Sequence, residues 1–350
     1  MSASLSEAQP RHPSRQGCVV TQVALAGFEG DAVDPVIAPR LVFAGDAAVL
    51  AWRERSGALR ARAFDAQWRP VGPARELARP AGAFTMVATP TGVAIAYVER
   101  GHDVVLARLN GRAEAQNVPR RVAREDAPLD SVALAVTDAG LVVAWSADEG
   151  RTLRASVLDP RGVAHEGAVE LGAGRAPRLA WLASMGALAL TVSALSPSED
   201  ATLLGLSTTL QVNTRLRWPA SMLGPLELDG ALHGVQVHGS GAPVLVRVPP
   251  GGAPVGLAGE GPSRARYALV DAAHDGASAL VLISDAPSGR LLVARASPDG
   301  SLAPPALVRQ GAPTPATIAV RGDGVAFVAR REVAAHTLSR VAVAQARCER

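Results

Sequence analysis

Residues 140–162 read GLVVAWSADEGRTLRASVLDPRG, two apolar runs joined and closed by polar turns. An apolar run ends at Trp145, a polar turn follows, and a second run, TLRASVLD, spans 152–159. Asp159-Pro160-Arg161-Gly162 then closes the unit with residues that preset a turn or accept its torsions. A run that is apolar on nearly every residue reads as a strand buried on both faces.

The unit recurs. AAVLAW ends at Trp52, GVAIAY at Tyr97, GALALT at Thr191, HGVQVH at His238, ASALVLI at Ile283 and GVAFVA at Ala329. Successive anchors, Trp145 included, lie 45, 48, 46, 47, 45 and 46 residues apart. An apolar strand precedes each anchor, as in APRLVF (38–43), SVALAVT (131–137), APRLAWL (176–182), LELDGAL (226–232) and RYALVDA (266–272). A third strand follows it, and a fourth, more polar one comes after most of these, such as RELA (75–78) and RVAR (121–124). A four-stranded antiparallel unit covered by neighbours on both faces and repeated around a ring is a propeller blade. The expected fold is therefore all-β, a seven-bladed β-propeller of four-stranded antiparallel blades. The blades fall near 38–78, 83–125, 130–172, 176–220, 224–260, 264–310 and 313–348, within one domain over 18–350.

The last copy ends after three strands, and VVTQVALAG (19–27) is the unassigned strand that would complete it. An N-terminal strand antiparallel to the final one sets Cys18 beside Cys348, the two cysteines of the chain. A disulfide at that seam would add roughly 5 kcal/mol as an upper estimate, through the long loop it closes. It also favours an oxidising setting, so a periplasmic or extracellular location is expected.

Composition agrees. Hydrophobic residues make up 48% and aromatics 3%, so the core is aliphatic. The 34 Gly and 26 Pro of the 350 residues imply frequent turns and few long helices. No apolar run reaches the ~18 residues of a membrane helix, so no transmembrane segment is expected. All 35 basic side chains are Arg against 32 acids, a net charge of +3 without a basic cluster or aromatic stripe, which argues against a nucleic-acid partner. Residues 1–17 are polar, without the apolar stretch of a secretory signal, and read as a disordered tail.

The blades resemble the Trp-anchored repeats of bacterial secreted propellers; the Trp-Asp dipeptides of WD40 repeats and the paired glycines of kelch repeats are absent. Ser146-Ala147-Asp148-Glu149-Gly150-Arg151-Thr152-Leu153 resembles the Asp box of sialidase-type propellers. It carries Leu in place of the aromatic and follows the second strand, whereas the family's box lies between the third and fourth. A Ser and an Asp bonding their own turn account for it. Sialidase-like chemistry would need a tyrosine nucleophile, and the chain holds Tyr97, an anchor, and Tyr267, at the start of an inner strand.

Ligands of propellers usually sit at the axis, on the face built by the loops that join one blade to the next and the second strand to the third. Those loops carry Arg53, Arg100 and Arg151 among mixed-sign charges, with Arg330, Arg331 and Glu332 in the last copy. Arg40, Arg178 and Arg266 stand at the starts of inner strands, where they would reach the channel. Guanidinium forks bind carboxylates and phosphates at two points, so these residues and Tyr267 form an expected ligand-binding mouth. Mixed charges that merely solvate loops are the competing account. No HExxH, Cys/His cluster, calcium loop, nucleophile elbow or P-loop occurs, so no metal, cofactor or catalytic residue is assigned. The expected function is non-enzymatic binding or scaffolding of a protein, peptide or glycan. The alternative is a glycoside hydrolase or polysaccharide lyase acting on an anionic glycan at the Arg-lined mouth.

Overall fold

The computed structural model describes residues 17–25, 33–196, 199–237, 243–249, 252, 254, 267–285, 287–296, 305–311, 314–333 and 339–348. They form seven antiparallel sheets. β1 (Cys18–Val23) opens the chain. Blade 1 is β2 (Arg40–Ala44), β3 (Ala47–Arg53), β4 (Leu59–Phe64) and β5 (Arg75–Ala78). Blade 2 is β6 (Ala81–Thr89), β7 (Gly92–Glu99), β8 (Asp103–Leu109) and β9 (Arg120–Arg124). Blade 3 holds β10 (Leu129–Thr137), β11 (Gly140–Ala147), β12 (Thr152–Leu158) and β13 (Val169–Gly172). Blade 4 holds β14 (Arg175–Leu182), β15 (Ala187–Ser193), β16 (Ala201–Leu206) and β17 (Val212–Trp218).

Blade 5 shows three strands among the described residues, β18 (Leu223–Leu228), β19 (Ala231–Val237) and β20 (Pro243–Arg247). Blade 6 is β21 (Tyr267–His274), β22 (Ala279–Asp285), β23 (Arg290–Ala296) and β24 (Ala306–Arg309). Blade 7 is β25 (Ala316–Val320), β26 (Ala326–Val333), β27 (Ser339–Cys348) and, as its outer strand, β1. The expected closure is thus present: Cys18 pairs with Cys348 in the β1–β27 register, and a disulfide joins them.

Each first strand contacts the first strand of the next blade, from β2 through β6, β10, β14, β18 and β21 to β25 and back to β2. The ring is therefore closed about an axis. Between blades the core is aliphatic for most of the ring, but at the junction of blades 7 and 1 it is aromatic, with Phe43, Phe64, Trp68 and Phe327 in contact. Val93, Ile95 and Tyr97 pack on Val49 and Ala51 of blade 1, and Leu141, Val143 and Trp145 pack on Ala94 and Ala96 of blade 2. Tight hairpins between first and second strands keep this spacing. At Gly140 (φ 149°) an added Cβ would lie 2.2 Å from the Leu158 carbonyl oxygen, so only glycine fits beside the third strand.

The structure corrects the phase of the repeat at two anchors. The side chains that face the preceding blade from the second strand are Trp52, Tyr97, Trp145, Val192 and Ile283. In blade 4 that residue is Val192 rather than Thr191. In blade 7 Ala329 faces blade 1, beside Trp52. Ala326 and Val328 face blade 6, which gives the slot to Arg330. His238 lies outside the described residues. LELDGAL is likewise no single strand: Asp229 and Gly230 turn between β18 and β19, both at positive φ.

Candidate functional site

Because the first strand of each blade pairs on one side only, its free edge faces the axis. The seven edges enclose a channel of about 740 Å³, lined by residues of every first strand. That volume lies within the range of small-ligand sites. Backbone groups near the free edges need partners, and some are met by side chains of the neighbouring blade. Thr317 Oγ1 donates to the Pro39 carbonyl at 2.6 Å, and Thr191 Oγ1 to that of Gly224 at 2.8 Å.

Arg40 and Arg178, from blades 1 and 4, both line this channel and converge on one carboxylate, Asp271 of blade 6. Arg178 Nη1 lies 3.3 Å from Asp271 Oδ1, and Arg40 Nη1 lies 3.9 Å from Oδ2. The Ile318 backbone N–H donates to Oδ2 at 3.1 Å. The Asp271 side chain is 10% exposed, whereas Arg40 and Arg178 are 37% and 45% open, onto the channel. Two guanidiniums on one carboxylate leave a surplus positive charge, 2 − 1 = +1. Burial pushes the Arg40 guanidinium below its ordinary value, Asp271 opposes this, and Arg178 adds to it. Toward the hairpin end of the channel stands Glu227. Burial would raise its carboxyl, but the backbone N–H groups of Ser184 and Ala183 and the Ser184 hydroxyl hold it below the ordinary value.

The other expected site residues scatter. Arg53 Nη1 donates to Asp34 at 3.0 Å, and Asp34 also caps the Val36 and Ile37 N–H groups, so this arginine clasps the segment that leads into blade 1. Arg100 is an exposed loop residue at φ +52°. Arg151 pairs with Asp148 at 3.5 Å within its own turn. That turn is the Asp-box-like segment, a one-turn 3-10 helix at Asp148–Gly150. Tyr267 begins β21 opposite Asp285 and packs on the apolar cluster between blades 5 and 6. Arg266 lies outside the described residues. Tyr97 is buried core, and burial, with Glu99 nearby, pushes its phenol up, away from nucleophilic use. Loop charges mostly cancel locally, as in Glu54 with Arg60 at 2.6 Å and Asp285 with Arg290 at 2.8 Å. Among the described residues no three of His, Cys, Asp and Glu are grouped to hold a metal ion.

The placement of Arg40 and Arg178 at the channel was legible in the sequence, and the part played by Asp271 was not. Its signal was an acid inside the apolar strand RYALVDA.

No family model and no curated protein matches the chain. Solved structures do. The Cps50 (Swd1) β-propeller domain of Myceliophteria thermophila aligns with a TM-score of 0.55 and 12% identity, over 92% of this chain and 99% of that one. The SapL1 lectin, solved with alpha methyl fucoside, gives 0.51 and 12%, over 85% and 89%. The polysaccharide lyase Uly1 gives 0.51 and 10%, over 93% and 91%. At such identities the likeness is one of fold alone.

Proposed function

We propose that this chain is a non-enzymatic binding propeller of an extracytoplasmic compartment that takes a carboxylate of an acidic glycan or peptide at its axial channel. One observation carries the reading: Arg40 and Arg178, half open and 231 and 93 residues from it in sequence, share the single carboxylate of Asp271. A guanidinium pair with one spare positive charge is a preformed clamp for an anion. The carboxylate beside it is engaged by both arginines and by the Ile318 N–H, which fixes the position of the pair. The Cys18–Cys348 disulfide suits a periplasmic or extracellular setting.

Calorimetric titration with oligogalacturonate and with polyglutamate tests this. Arg40→Ala and Arg178→Ala should each raise Kd about tenfold or more. Asp271→Asn, which keeps an oxygen for the Ile318 N–H and removes the competing charge, should tighten binding. Unchanged affinity in both arginine variants discards the axial site. The hydrolase or lyase alternative draws on the same arginines, and shortening of the oligogalacturonate by the wild-type protein would establish it instead.

A further inference from the structure

The slot that Trp52, Tyr97 and Trp145 fill in blades 1 to 3 holds Arg330 in blade 7. Its side chain is 4% exposed. Below it the same face is ordinary core, with Ala326 and Val328 packed on Leu280 and Leu282 of blade 6. At Arg330 the packing stops, and a cavity of about 440 Å³ opens on the blade 7 side of the cleft; the described residues that bound it all come from β1 and the two residues after it, β26 and β27, among them Gln22, Arg330, Glu332, Arg340 and Ala342. The cause is volume: Ala342 stands directly opposite Arg330, and no indole or phenol fills the wedge.

Among the described residues the charges and hydrogen bonds around this cavity do not balance. Arg330 donates to Gln22 Oε1 at 3.1 Å and to Glu332 Oε1 at 3.3 and 3.4 Å, while its buried Nε has no acceptor. Arg340 Nε takes the other oxygen of Glu332 at 2.9 Å. Arg309, from the outer strand of blade 6, donates to Thr314 Oγ1 and the Arg331 carbonyl at 3.2 Å each. It lies close enough to disfavour the charge on Arg330, which burial already pushes down. Among the described residues that bound the cavity, two guanidiniums thus face one carboxylate, 2 − 1 = +1, with Arg309 close by. A buried cation needs a matching partner or its desolvation goes uncompensated.

The chain shows elsewhere what that partner would be. In the cleft between blades 2 and 3, Glu125 comes directly after the outer strand of blade 2. It accepts the Trp145 indole N–H at 2.8 Å and Arg154 Nη1 at 2.8 Å. Between blades 6 and 7 the outer strand ends at Arg309 and Gln310 comes directly after it, in place of an acid. We infer that the cleft between blades 6 and 7 is a second binding site, for a small oxyanion ligand whose carboxylate or sulfate group takes the place that Glu125 occupies between blades 2 and 3.

The test is thermal unfolding of the full chain, disulfide intact, against rising glucuronate and, separately, sulfate. Chloride at matched ionic strength is the control. Both anions should raise Tm saturably, and the lower apparent Kd of the two distinguishes a sugar carboxylate from a free inorganic anion as the ligand. The response should persist in Arg40→Ala/Arg178→Ala, which separates this cleft from the axial site. Arg330→Met should weaken it at least about tenfold. Ala342→Glu, which places a carboxylate on the same face, should abolish the response and raise the Tm measured without ligand. An undiminished response in Arg330→Met overturns the proposal. So does a wild type whose Tm responds to neither anion.

Discussion

The clefts between blades 2 and 3 and between blades 6 and 7 are built on the same slot of the repeat, and they solve it in opposite ways. In the first, Trp145 is fully buried, and Glu125 satisfies both its N–H and Arg154 while its own carbonyl oxygen meets His102 Nδ1 at 3.1 Å. In the second, an arginine occupies the slot, space is left over, and one carboxylate serves two guanidiniums. Ring geometry fixes the volume of the slot, but nothing in that geometry fixes its charge. The second cleft lies at the seam and is braced at its other end. There the Cys18–Cys348 bond closes the ring, and Arg295, with 6% of its side chain exposed, donates to Asp275 at 2.8 Å and to the Cys348 carbonyl at 3.0 Å. The loose end of the cleft is tolerable because the other end is tied.

That account breaks most directly at the disulfide. Cys18→Ser/Cys348→Ser removes a cross-link spanning 330 residues, and the loss should approach roughly 5 kcal/mol in denaturant unfolding. A loss below about 1 kcal/mol would mean that the six β1–β27 pairs hold the seam without it. The contrast between the slots sharpens at the next scale down. Glu125→Gln leaves either the indole N–H or Arg154 poorly matched in a buried site, and should lower stability by about 1–3 kcal/mol. Arg330→Met removes an unbalanced cation and fills apolar volume, so it should leave stability unchanged to within about 0.5 kcal/mol or increase it. Equal losses in the two variants would erase the distinction between the clefts.

The amino-acid pattern carried the ring, the blade spacing and the seam because each depends on local turn chemistry and on strands apolar on both faces. It carried the cysteine pair because closure leaves one strand missing at one end and one spare at the other. The phase of the anchors was readable only where an aromatic marked it. Between Thr191 and Val192, or Ala329 and Arg330, a one-residue slip changes which blade a side chain meets without changing the apolar run. Arg330 therefore read as a loop charge, although it is among the most buried polar residues. Asp271 was visible as an oddity, but its partners stand in two other blades. Only the ring brings them together.

The smallest expected effect concerns the braced end of the seam cleft, and it appears in acid. Burial alone would raise the Asp275 carboxyl, but the N–H groups of Ser278 and Ala277, with Arg295, overcome it and hold the group below its ordinary value. A carboxyl depressed in the folded state adds stability above its unfolded pKa of about 3.9, and that contribution is lost as pH falls through the lower folded value. The stability difference between wild type and Asp275→Asn should therefore be constant from neutral pH down to about 4 and shrink below it. The same substitution made together with Cys18→Ser/Cys348→Ser should destabilise less than the two effects added, because Arg295 couples Asp275 to the Cys348 carbonyl and either change alone already weakens that shared bridge. Strict additivity would show that the ion pair and the cross-link act on separate parts of the seam, and the bracing of the loose cleft would then rest on the disulfide alone.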